Sequence, residues 1–567
     1  MRHGAPARQD RCEREEADEG RTPKPVHVEK CRGRVAGQAC EPCSSTDNIS
    51  ATFTAQERPL LPFAFVLLLS WLAASPAVPA GAQSAFPQVD PAVLHAYRLL
   101  HDGDHGAAQR EFERLVAARP HALPARFGLL RVLDARASLA PVLLPDFERQ
   151  LDRFFVDAEA RYDRNADDAE VTFYLAHVLL LRARYKVEHD KGMWGAARDG
   201  ARAKRLSEAY VRRHPEHVDG MLALGIYNYY VEIAPAFSRF IRAFLFLPSG
   251  DRAEGLKQIE RVHAEGVMFR YEAGIFLMEI YSTLEGRVGD ASRLGQRMAA
   301  EYPGNPLVHF ELAQLYASPS LEDFTRAAAE YEGVMAREDK RPGEPRPARY
   351  QARHGLASVR LQQWRVDEAI RLLTATIDQA PAEPVWVMPT FLLRRGNYRA
   401  LLGEPAADQD ARRVRADKRW HVWHKNADEQ LAWIRQRRAV ETTVYAALIP
   451  GNRLVAERRW DEAAAAYAAV ARDHPGDAQV RYRRAHLRFA RGDHAGAAPE
   501  FAAVAQLRTA PGWLRAQALL HVGRVHDLAG RRTEAMRTYE RVADTFERES
   551  AAFAARIGIV TPYKRSS

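Results

Sequence analysis

The fold is decided by residues 457–546, where W460-D-E-A-A-A-A-Y467, G492-D-H-A-G-A497-A-P-E-F501 and G530-R-R-T-E-A535-M-R-T-Y539 repeat one grammar. Ala463 to Ala497 is 34 residues, as is Tyr467 to Phe501. The next step, Ala497 to Ala535 and Phe501 to Tyr539, is 38, with the added residues around Arg508-Thr-Ala-Pro511. Self-similarity at such a period marks an array of helix pairs. Small residues at Gly451, Ala485 and Gly523 on the first helix of each pair, and at Ala463, Ala497 and Ala535 on the second, let two backbones approach closely. The aromatic four positions after each second-helix alanine lies on the same face and fills the space beside it. Gly492 and Gly530 fall between the periodic runs, where a tight turn accepts a residue without a Cβ.

This pattern resembles the tetratricopeptide repeat. The resemblance implies an all-α fold, a right-handed superhelical solenoid of antiparallel helix hairpins, about 10–12 of them over this length. It also implies a concave wall of first helices along which a peptide or a partner helix lies. Counted from Ala485, the groove-facing positions are Gln479, Tyr482, His486 and Phe489; counted from Gly523 they are Gln517, Arg524 and Asp527.

A chain of 567 residues is too long for one ordinary core, but repeats remove that limit because each unit packs on its neighbours. The balance of 82 Lys and Arg against 73 Asp and Glu leaves +9, spread in mixed runs such as R412-R-V-R-A-D-K-R419, so no nucleic-acid partner is expected. The four cysteines, Cys12, Cys31, Cys40 and Cys43, all precede residue 44. The body therefore has neither disulfide nor thiolate-ligated metal, and Cys40-Glu-Pro-Cys43 lacks the second pair a zinc site needs.

Residues 1–59 show no sustained apolar periodicity and read as disordered, or as an extension upstream of the true translation start. L60-L-P-F-A-F-V-L-L-L-S-W-L-A-A74 and the small-x-small site Ala80-Gly81-Ala82 then read as a secretory signal, with the mature chain starting near Gln83 in the periplasm or otherwise outside the cytoplasm. The alternative is an inner-membrane anchor over 60–80, just long enough to span.

The first hairpin of the body follows at Ala96, Leu99, Ala108, Phe112 and Pro120. A first solenoid covers 83–336, a linker or long loop 337–348, a second solenoid 349–555 and a fraying tail 556–567. Within the first solenoid, A169-E-V-T-F-Y-L-A-H-V-L-L-L181 has the composition of a central helix, and R184-Y-K-V-E-H-D-K-G-M-W-G195 breaks the periodicity as a longer connection.

Residues 218–266 form an irregular insertion. Pro235 and Pro248 punctuate it, Ser249 or Asp251 is placed to cap its last helix, and Phe237, Phe240 and Phe244 share one face of an amphipathic middle piece. Three readings stand: an extra packed helix, a lid or groove for a peptide or apolar ligand using Tyr227, Tyr229, Tyr230 and these phenylalanines, or contact with a lipid surface. G225-I-Y-N-Y-Y230, L247-P-S-G-D-R252 with G255-L-K-Q-I259, and F276-L-M-E-I-Y281 resemble bacterial relatives of the tetratricopeptide-repeat-39 family. That resemblance implies association with lipid handling or aggregate clearance and brings no catalytic residue.

No P-loop, G-x-S-x-G or H-E-x-x-H occurs. His214-Pro-Glu-His217 and His421 with His424 have histidines at short spacing, but ordinary packing accounts for them. No cofactor, metal or catalytic residue is expected, and the expected function is a protein-binding scaffold in an envelope or secretion assembly, with a lipid-associated binding protein or an enzyme of unusual design as alternatives.

Overall fold

Twenty-four α-helices and no strand make up the residues that the computed structural model describes, namely 89–564 apart from 140–143, 190, 234–249, 319, 341–346, 383, 441–443 and 548. Capping residues start many of them. Asp90 accepts from the backbone N–H of Ala92 ahead of α1 (Pro91–His101), and Asp104 does the same for Ala107 in α2 (His105–Ala118). Long pairs follow: α3 (Leu123–Leu139) with α4 (Leu144–Arg164), and α5 (Ala169–Glu188) with α6 (Met193–Arg213). The connection expected over 184–195 is shorter than its sequence suggests. Arg184 bonds Asp134 and Glu188, Lys186 bonds Asp199, and these side chains let the helix run on to Glu188.

The region read as an insertion is itself a hairpin. After a 3₁₀ turn at Val218–Gly220, α7 (Met221–Ile233) packs against α8 (Arg252–Glu265), which Asp251 caps through the N–H of Glu254. Two glycines make their crossing. A Cβ at Gly255 would stand 2.5 Å from the Tyr229 nitrogen and 2.7 Å from the Gly225 oxygen, so only hydrogen fits between the two backbones.

The stack continues with α9 (Arg270–Glu279), which ends in a π-turn at Ile280–Leu284, and α10 (Val288–Glu301). Next come α11 (Pro306–Ala317), α12 (Phe324–Lys340), α13 (Pro347–Gln362) and α14 (Val366–Gln379). Then α15 (Val387–Leu401) holds the short α16 (Gln409–Ala416) and α17 (His424–Val440), and α18 (Val444–Ala456) pairs with α19 (Trp460–Asp473). The last units are α20 (Ala478–Arg491), α21 (His494–Gln506), α22 (Gly512–Leu528), α23 (Arg532–Thr545) and α24 (Ser550–Val560).

The small-residue and aromatic grammar is realised as a sandwich. Tyr539 of α23 lies between Gly523 of its own hairpin and Gly558 of the next helix, where added Cβ atoms would come within 2.5 and 2.8 Å of its ring. Tyr467 sits likewise on Gly451, Phe112 on Gly128 and Tyr331 on Gly355. Phe501 and Ala485, Ala497 and Ala535 are fully enclosed. Each such ring contributes on the order of 1.5–3 kcal/mol of burial. Where Gly295 stands in place of the aromatic, Met278 and Leu312 fill the gap.

Packing on neighbours is only part of the architecture. The turn after α1 docks far along the chain: Asp102 accepts from the Gly304 N–H at 2.7 Å, and the His101 ring stacks on Tyr271 with centroids 4.6 Å apart. The turn at Gly286 accepts a bond from Thr561 at 2.7 Å, Glu322 in the α11–α12 turn meets Arg524 at 3.1 Å, and Trp364 in the α13–α14 turn lies 4.4 Å under the Arg483 guanidinium. The order runs in reverse, later turns meeting earlier helices, so the turn row of the central hairpins lies against the first helices of the last ones.

Candidate interaction groove

Of the positions deduced for the last two units, Tyr482, His486, Phe489, Gln517, Arg524 and Asp527 lie around His521 and Tyr563 along one side of α20 and α22. Tyr482, Phe489 and Arg524 are buried there, and Gln479, His486 and Gln517 are half-buried. Asp527 keeps only 1% of its side chain exposed. Helix spacing explains the placement: Tyr482, His486 and Phe489 recur at about one turn on α20, and Gln517, Arg524 and Asp527 on α22, with Ala485 and Gly523 at the tight contacts.

The centre of the wall is His521, which the repeat count does not single out. Its ring stacks on Phe501 at 4.8 Å and meets Phe489 edge-on at 5.3 Å. The Gln517 carbonyl accepts from Nδ1 at 2.9 Å, so the ring proton sits on Nδ1 and the Nε2 lone pair is free to accept from Arg524 at 3.3 Å. Tyr482 approaches the same Nδ1 at 3.4 Å. Burial holds the His521 imidazole well below its usual range, and the charge of Arg524 presses it in the same direction. His486 is pushed down to about 3, by burial first and then by Arg483 and Arg524. Both histidines are therefore neutral, a polar but uncharged floor.

Arg524 organises the positive charge. Burial works against its ionised form, but Glu322 at 3.1 Å keeps the guanidinium charged. Its plane covers the ring of Tyr563, 4.7 Å away, in the segment that follows α24. The Tyr563 ring also faces Phe489 at 6.3 Å, and its backbone N–H donates to Asp527 Oδ2 at 2.8 Å. Asp527 further accepts from the Tyr539 hydroxyl at 2.8 Å and from Arg532 at 3.1 Å. The tail expected to fray from Arg556 is thus helical to Val560 and bonded at Thr561 and Tyr563.

The other candidates lie elsewhere. Tyr227, Tyr229 and Tyr230 are core residues rather than surface ones: Lys204 stands 4.6 Å over the Tyr227 ring, and the Tyr229 hydroxyl donates to Glu285 at 2.6 Å. Tyr230 packs beside Glu279, whose carboxyl is pushed up to about 7 by burial and by Glu311. Phe237, Phe240 and Phe244 fall outside the described residues, as do the apolar run 60–82 and everything before it. His424 accepts from Arg415 at 3.2 Å and donates to the Asp417 carbonyl at 3.0 Å, His217 meets the Tyr210 hydroxyl at 2.6 Å, and His421 is exposed. Among the described residues no group of three His, Cys, Asp or Glu side chains is placed to hold a metal, and no helix is long and apolar enough to cross a membrane.

No protein-family model matches the chain, and no curated protein does. Similarity to solved structures extends along most of it. A human IFIT1 dimer with m7Gppp-AAAA covers 82% of this chain and 91% of its own at 14% identity and a TM-score of 0.28. Yeast Tom70 covers 81% and 98% at 11% identity and a TM-score of 0.26. The TPR domain of P58(IPK) covers 84% and 99% at 10% identity and a TM-score of 0.19. The fold is a tetratricopeptide-like solenoid. That statement rests on the sandwich of small and aromatic residues between successive helix pairs.

Proposed function

We propose that this chain is a non-enzymatic scaffold that holds an extended peptide segment of a protein partner against the inner wall of α20 and α22. The observation that carries the reading is the seat of Tyr563. A non-helical segment already lies on that wall, giving a backbone N–H to a buried carboxylate at 2.8 Å and a ring face to a guanidinium at 4.7 Å. Extended peptides offer those two groups wherever an aromatic side chain occurs, and a wall of neutral histidines and phenylalanines accepts the rest without charge selection. The apolar run 60–82 with its small-x-small end supports a working place outside the cytoplasm, in an envelope or secretion assembly.

The test is site-specific photo-crosslinking. A benzophenone amino acid at Gln479 or Gln517, on the wall, and at Arg537, on the exposed face of α23, is challenged with peptides selected by display against the same chain, with and without Tyr563→Ala. Labelling confined to the two wall positions supports the groove. Equal labelling at Arg537, or none at the wall in either form, refutes it.

A further inference from the structure

The wall of α20 and α22 is not bare, and what lies on it belongs to the chain itself. Helix α24 ends at Val560, Thr561 turns extended with φ −120° and ψ 121°, and Pro562 keeps the chain from returning to helix. Arg532 fixes the exit by donating to the carbonyls of Gly558 and Ile559 at 2.8 and 2.6 Å, the last turn of α24. From that point Thr561 bonds the Gly286 carbonyl, and Tyr563 reaches Arg524, Asp527 and Phe489.

We propose that the segment Thr561–Lys564 is a built-in occupant of the groove, a pseudo-ligand that an incoming extended peptide bearing a tyrosine or phenylalanine must displace. The inference rests on the groove reading above and adds the class of partner and its regulation. Three features favour it over plain structural packing. The segment is extended where the rest of the stack is helical. The contacts of Tyr563 use a backbone N–H and an aromatic face, groups any peptide with an aromatic side chain supplies, while the receiving side uses the carboxylate, guanidinium and ring of this wall. It lies at the surface, with Tyr563 half-exposed and Thr561, Pro562 and Lys564 exposed. The wall beneath does not depend on it: Asp527 keeps Tyr539 and Arg532, and Arg524 keeps Glu322 and His521.

An occupant tethered beside its site lowers the apparent affinity of every competitor by the fraction of time the site is closed. The probe is a fluorescein-labelled peptide of residues 560–567, V-T-P-Y-K-R-S-S, titrated by anisotropy into the full chain and into its Tyr563→Ala and Tyr563→Leu variants. The expected result is binding at least about tenfold tighter to Tyr563→Ala than to the natural chain, an intermediate gain for Tyr563→Leu, and no binding of the same peptide with alanine for tyrosine. Equal affinity for the natural chain and both variants overturns the gate and leaves the groove reading standing. Binding to none of them overturns the assignment of the segment as a ligand mimic, and the crosslinking of selected peptides at Gln517 then judges the groove alone. Thermal melts of the variants within a few degrees of the natural chain separate loss of the occupant from loss of the fold.

Discussion

The guanidinium of Arg524 lies 3.1 Å from the carboxylate of Glu322, which is 202 positions earlier in the chain. This contact ties a turn of the central hairpins to the wall of the last ones, and its two ends are unequal. Arg524 is 4% exposed and Glu322 44%, so the ion pair itself is partly screened and contributes about 1 kcal/mol or less. Glu322 also stands at φ 50°, a left-handed conformation that costs a residue with a Cβ about 1–2 kcal/mol. Glu322→Gly is therefore predicted to be close to neutral in urea unfolding, because relief of the backbone offsets the lost pair. Glu322→Ala keeps the strain, loses the pair and should cost about 1 kcal/mol. Arg524→Ala, which strips contacts from His521 and Tyr563 as well, should cost about 3 kcal/mol. Equal losses for the glycine and alanine variants at 322 would show that the turn is not strained.

The crossing of α7 and α8 gives a sharper prediction. A methyl at Gly255 would meet backbone at 2.5 and 2.7 Å, which cannot move without separating the helices, so Gly255→Ala should destabilise by about 3 kcal/mol or more. Gly333 in α12 has only the end of the Arg337 side chain at 3.3 Å, and Gly333→Ala should stabilise by about 0.5–1 kcal/mol through helix propensity. Denaturant midpoints of the two variants, moving in opposite directions, check the account.

Acid should weaken the fold through its buried histidines. Burial drives His177 to about 4 and His486 to about 3, and holds His354 and His521 well below the usual range. In the unfolded chain these rings take up protons near pH 6.5, whereas in the folded chain they do not. Their stabilisation is complete above that pH and is lost as pH falls toward the lowered values, by up to about 1.4 kcal/mol per pH unit for each ring. Glu279, raised to about 7, acts in the opposite sense, giving up stability as pH rises from its unfolded value through 7. Melting temperatures should fall between pH 7 and 5, and His177→Gln should flatten that fall. A steeper fall in the variant would contradict the assignment.

The repeat grammar was legible in sequence because it is local. Ala463, Ala497 and Ala535 with their aromatics report a contact between helices a few residues apart, and the same count placed Tyr482, His486, Phe489, Arg524 and Asp527 on one wall. The reversal of the stack on itself left no such mark. Gly286, Glu322 and Trp364 meet Thr561, Arg524 and Arg483 across distances that no period encodes, and the only local hint was a non-glycine residue at a turn position where glycine is usual. His521 escaped because it lies two positions before Gly523, outside the groove count, although it is the residue the wall is built around. The tyrosines of G225-I-Y-N-Y-Y230 stood as candidates for partner binding, but all three are buried in the core, where the glycine crossing brings α8 against α7.

The central claim, that the chain occupies its own groove, is tested most directly by amide hydrogen exchange at Tyr563. Its N–H donates to Asp527 at 2.8 Å although it lies beyond the last described helix, so the account predicts exchange slowed at least about tenfold against the free-peptide rate at neutral pH, and return to that rate in Asp527→Ala, which removes the acceptor. Exchange of Tyr563 in the natural chain at the rate of the free peptide would contradict it.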